Sequence, residues 1–109
     1  ELLEVVAAMF PGGTITGVPK IRTMELITGL EPSTRGIYTG SIGYLSFSGE
    51  MDLNIVIRTI LFKDDKAYVQ VGGGVVIDSN PRQEYKETLN KARSQLLALS
   101  GGRKEAPCS

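Results

Sequence analysis

The segment Phe10-Pro11-Gly12-Gly13-Thr14-Ile15-Thr16-Gly17-Val18-Pro19-Lys20 constrains this chain more than any other. Pro11 ends a helix arriving from the N-terminal side, and Pro19 suits the first turn of another. Between them Gly12, Gly13 and Gly17 let the backbone approach a ligand closely and leave amide N–H groups uncovered. The helix that opens at Gly17-Val18-Pro19-Lys20 adds first-turn N–H groups and a dipole that favour an anion. A carboxylate or phosphate site and an ordinary helix–helix connection are both open at this point. A P-loop is excluded, because Val18-Pro19 stands where Lys-Ser/Thr is required.

The flanking patterns predict the rest of the chain. Leu2, Val6, Met9 and Phe10 recur at helical spacing before Pro11. A second helix starts near Pro19, turns Ile21, Met24 and Ile27 inward and stops at Gly29, with Pro32 beyond. After a polar loop at 31–36, three strand-like runs occupy 37–47, 53–62 and 67–77. The turn signals between them are Ser48-Gly49-Glu50 and Lys63-Asp64-Asp65-Lys66. Such short links predict an antiparallel β-meander. Leu53 to Phe62 is apolar on both faces, as in a strand covered on both sides. Asn80 as N-cap, Pro81 in the first turn and Gln83 at the capping-box position open a last helix running to about Leu99. The expected class is therefore α+β, an antiparallel meander with flanking helices, within one domain over 1–99 and with a disordered tail at 100–109. The open sheet edges and the start at Glu1 inside a helical pattern are those of a piece of a larger fold.

Composition removes several functions. Twelve basic residues balance twelve acidic ones, so no net field draws nucleic acid or an acidic membrane surface. There is no bilayer-length apolar run and no signal peptide pattern. Cys108 is alone, in keeping with a reducing cytoplasm. With no histidine, acid–base chemistry near neutrality falls to a perturbed Glu, Lys or Tyr.

Three features resist a purely structural explanation. Arg58 lies in Ile55-Val56-Ile57-Arg58-Thr59-Ile60-Leu61, with Val56 and Ile60 on its own face of the predicted strand. A guanidinium buried there needs an anion: an internal carboxylate or a ligand. Gly72, Gly73 and Gly74 interrupt the third strand, marking a bulge or the close approach of a ligand. They are not a dinucleotide fingerprint, since Ile77 occupies the third glycine position. On the last helix Glu84, Glu87 and Lys91 share a stripe apart from the apolar one formed by Tyr85, Leu89, Ala92, Leu96 and Leu99. Two carboxylates on one face suit a hard divalent cation such as Mg²⁺. An exposed Glu87–Lys91 i,i+4 pair is the simpler alternative.

Taken together these segments resemble the C-terminal part of the chorismate-utilising enzymes. The resemblance covers nearly the whole chain to Leu99. It is carried by Phe10 to Lys20, Ile21 to Glu25, Gly40 to Tyr44, Ile57 to Thr59, Gly72 to Val76, Asp78-Ser79, Glu84 to Thr88 and Asn90 to Arg93. It implies an α+β fold and a Mg²⁺-dependent chorismate site. In it Glu87 resembles a metal ligand and Glu84 a supporting acid. Arg58 and Tyr38 resemble binders of the enolpyruvyl carboxylate, helped by the amides of Gly72, Gly73 and Gly74. Thr14 lines the ring side, and Lys91 resembles a contact to the ring carboxylate. Gly13 to Gly17 is more like the aminodeoxychorismate synthase branch than the anthranilate synthase branch, although Val18 departs from the alanine usual in both. Either branch implies a glutamine amidotransferase subunit that supplies ammonia. The lysine motif associated with nucleophilic attack, the general acid and a second metal carboxylate belong to preceding segments. A module that binds without chemistry of its own is the alternative of another class.

Overall fold

The computed structural model describes residues 1–101 and divides into two compact units, Glu1–Val56 and Ile57–Ser109. In the first unit, α1 (Leu2–Met9) ends before Pro11, α2 (Gly13–Thr16) is a single turn, and α3 (Lys20–Leu30) follows Pro19. A hairpin of β1 (Ser41–Leu45) and β2 (Met51–Ile55) completes it, with Ser41 opposite Ile55 and Leu45 opposite Met51. In the second unit, β3 (Ile60–Lys63) and β4 (Lys66–Val69) form another antiparallel hairpin, and α4 (Pro81–Leu99) packs against β4.

Local chemistry explains most boundaries. Asn80 Oδ1 accepts from the backbone N–H groups of Arg82 and Gln83 at 3.1 and 3.3 Å, so the predicted N-cap is in place. Asp64 and Asp65 both have φ near +50 to +60°, the two left-handed residues of a tight hairpin turn. Gly17 sits at φ 106°, where a side chain is strained. Gly43 faces the partner strand so closely that a Cβ would lie 1.9 Å from the Asp52 carbonyl oxygen.

The α+β class and both antiparallel pairings are as expected, but the three long strands are not. The middle run breaks after Ile55, and Val56 makes the last backbone bonds of the first hairpin, with Thr39 and Gly40. Arg58 then adopts φ 51°, a left-handed conformation that no ladder accommodates. The Thr59 hydroxyl donates to the Ile57 carbonyl at 2.9 Å, a local bond that competes with pairing. The third run stops at Val69, because the glycine stretch offers no side chains to pack. Single-turn α2 was not foreseen in the loop. It closes through Gly17 N–H to Gly13 O at 2.7 Å.

Burial also departs from expectation. Val56 and Ala92 are the buried apolar residues among those described. Leu53, Ile55 and Ile57, expected to be covered on both faces, are exposed, and Phe47, Val18 and Ile77 are almost wholly so. A two-stranded sheet has no neighbouring strand on its outer edges and covers neither of its own faces. The expected disordered tail falls largely on residues 102–109, outside those described; Ser100 and Gly101 form a turn. No single helix among the described residues is long and apolar enough to cross a membrane.

Candidate functional site

The charged stripe of α4 carries the densest polar chemistry of the second unit. Glu84, Glu87 and Lys91 occupy successive turns of a helix fixed at its start by Asn80. Lys91 Nζ lies 2.8 Å from Glu87 Oε1, so the i,i+4 pair is formed. The same ammonium donates to the Gly72 carbonyl at 3.5 Å, tying the glycine run to the helix. A Cβ on Gly73 would meet Glu84 Oε2 at 3.4 Å and the Thr88 methyl at 3.6 Å. The Gly73 backbone thus lies beside Glu84 and Thr88, at a distance where a Cβ would make ordinary van der Waals contact.

Arg58 opens into a cavity of about 330 Å³ lined also by Glu87, Asn90, Lys91 and Ser94. It is exposed rather than buried in a strand, because the chain bends at that residue. Among the described residues it has no hydrogen bond or ion pair. Its guanidinium is therefore available to an anion, next to a second cation and two neutral hydrogen-bonding side chains. Neither Asn90 nor Ser94 was among the site residues expected from the sequence. Their spacing of three and seven residues from Glu87 was the signal, since it places them on the same helix face.

The other expected site residues belong to the first unit. Thr14 lies exposed on α2. It does not line the nearby apolar groove of about 420 Å³, whose wall includes Gly12, Ile15, Phe10 and Met51. Tyr38 is half-buried in the turn before β1, and the Arg35 guanidinium sits 5.8 Å from its ring centroid. Arg35, also missed, forks onto Glu31 with Nε–Oε2 at 2.9 Å and donates to Thr39 Oγ1 at 3.1 Å. Hydrogen bonds from Arg35 hold the Glu31 carboxyl below its ordinary pKa, and Glu31 raises that of Arg35.

Glu84 and Glu87 supply oxygen donors, while the described residues bring no three His, Cys, Asp or Glu side chains together into a metal-holding group. Mg²⁺ is commonly bound by one or two carboxylates with retained waters and substrate oxygens. The donor set fits such an ion and does not fit a closed zinc or calcium cage.

Comparison with known proteins identifies the family of the chain. Residues 1–97 match the model of a chorismate binding enzyme. Aminodeoxychorismate synthase component 1 of Bacillus subtilis is 52% identical over 91% of this chain and 21% of its own length. Anthranilate synthase component 1 of Mycobacterium tuberculosis is 53% identical over 90% of the chain and 19% of its own. The crystal structure of anthranilate synthase component I from Streptococcus pneumoniae TIGR4 superposes with a TM-score of 0.81 at 52% identity, over 85% of this chain and 21% of that one. This chain thus spans about a fifth of the length of these relatives. It belongs to the chorismate binding enzyme family.

Proposed function

We propose that this chain contributes the C-terminal part of a Mg²⁺-dependent site that aminates chorismate to 4-amino-4-deoxychorismate, with ammonia from a glutamine amidotransferase partner. The observation that carries this reading is the face of α4 on which Lys91 pairs with Glu87 and reaches the Gly72 carbonyl, with Glu84 beside Gly73. Arg58 binds the enolpyruvyl carboxylate, with the amides of Gly72, Gly73 and Gly74 supporting it. Lys91 takes the ring carboxylate as a point charge. Glu87, supported by Glu84, is the ligand for Mg²⁺, which when bound supplies the charge that fixes the ring carboxylate. These groups bind and orient the substrate. The nucleophile, the general acid and a further carboxylate come from outside this sequence, so the 109-residue chain by itself gives no turnover.

Anthranilate formation is the second reading, favoured by the 53% identity to the Mycobacterium tuberculosis protein and by the Streptococcus pneumoniae structure. The test is a chimera in which this sequence replaces its counterpart in the Bacillus subtilis protein. Supplied with chorismate, Mg²⁺ and ammonium, it is expected to yield aminodeoxychorismate. Anthranilate as the main product selects the second reading. A folded chimera that neither binds nor converts chorismate defeats both.

A further inference from the structure

The metal ligand and the anion contact of the proposed site are bonded to each other. Glu87 Oε1 and Lys91 Nζ are 2.8 Å apart, with side chains 57% and 32% exposed. The same ammonium spends another donor on the Gly72 carbonyl. The pair lines the cavity that Arg58 also lines. A dication arriving at Glu87 therefore meets a resident cation. An anion arriving at Lys91 meets a resident carboxylate.

Resting on the reading of Glu87 as a metal ligand, we propose that Lys91 is the exchangeable counter-ion of Glu87 and that this ion pair couples metal binding to anion binding. Whichever ligand binds first breaks the pair and leaves its other half free. The second ligand meets a partner already released. The coupling is reciprocal, because it is a difference in binding free energy shared by the two sites. Lys91 also holds the Gly72 carbonyl, so its departure loosens the glycine run as the anion enters. An exposed pair of this kind contributes about a twofold to fivefold factor in affinity.

The test is calorimetric titration of the full-length protein with MgCl₂, with and without chorismate. Lys91→Met is expected to bind Mg²⁺ alone about two to five times more tightly than the unmodified protein. It should also gain less Mg²⁺ affinity from added chorismate. Lys91→Arg, which keeps the cation beside Glu87, should bind Mg²⁺ alone more weakly than Lys91→Met does. Lys86→Met is the charge control, since Lys86 lies on the same helix and has no ion pair among the described residues. An unchanged or weaker Mg²⁺ affinity in Lys91→Met overturns the coupling. So does an equal rise in Lys86→Met. If Glu87→Gln retains full Mg²⁺ affinity, the metal-ligand reading itself fails, which separates the two failures. Should Lys91→Met not fold, the Lys91 side-chain amine can be followed by NMR in the unmodified protein. Mg²⁺ must shift that resonance as the carboxylate is lost, and an unmoved signal overturns the proposal.

Discussion

Arg35 in the first unit and Arg58 in the second have opposite surroundings. Arg35 is two-thirds or more covered, forks onto Glu31, bonds Thr39 and stacks on Tyr38. Arg58 is exposed at a left-handed bend with a cavity before it and no partner among the described residues. A guanidinium whose donors are met inside the chain fastens a turn; one left open is available to a ligand. The first unit accordingly reads as architecture around α3 and its hairpin. The second reads as a presenting surface, with α4 as its rigid part.

The largest expected effect tests the architectural half. Gly43→Val drives a Cβ into the Asp52 carbonyl, 1.9 Å away, so the backbone of the hairpin must shift. Overpacking of this kind should cost about 3 kcal/mol, read as a lowered urea midpoint. A midpoint unchanged from the unmodified protein would show that the hairpin pairing is looser than described.

Exchanging the two arginines in turn addresses the comparison directly. Arg58→Met should lower chorismate affinity about tenfold to a hundredfold, the loss of a charged hydrogen bond, and shift stability by less than about 0.5 kcal/mol. Arg35→Met should do the reverse, costing about 1 kcal/mol of stability with chorismate affinity preserved. If both variants lose affinity equally, the division between fastening and presenting is wrong. The pH dependence sharpens the same point. Glu31 has a lowered pKa in the folded chain, so its pairing stabilises above the ordinary value of 4.5 and is lost as the pH falls through the lowered one. In Arg35→Met this acid-limb loss should shrink, as followed by thermal melts from pH 6 downward.

The smallest effect concerns α4. Both amide atoms of Gln95 are buried without a hydrogen-bond partner among the described residues. Gln95→Met keeps the length of the side chain and removes that unmet polarity. It should raise stability by about 1 kcal/mol, measured by thermal melting. A loss of stability would mean that the amide is satisfied in solution.

Legibility followed the range of the interactions involved. The Asn80 cap, the stop at Pro11 and the Asp64-Asp65 turn are each decided by contacts within four residues, and each stood where the sequence put it. The break at Arg58 did not, because an apolar run reads as a strand whether or not another strand is there to pair with it. Asn90 and Ser94 had the spacing of the Glu87 stripe but nothing local to mark them as cavity walls. Arg35 and Glu31 had i,i+4 spacing, and only the geometry showed Arg35 also bound to Thr39 and set against Tyr38.

The sequence by itself determined the three longer helices, the hairpin turns and the family-like order of glycines, Arg58 and the acidic helix, because caps, φ preferences and residue spacing are properties of short stretches. Only the tertiary structure decided that Lys91, already paired with Glu87, reaches Gly72, nineteen residues before it along the chain, and that Arg58 opens onto the same cavity. Those meetings depend on how a bent loop and a rigid helix pack together, and no local preference of either segment specifies that.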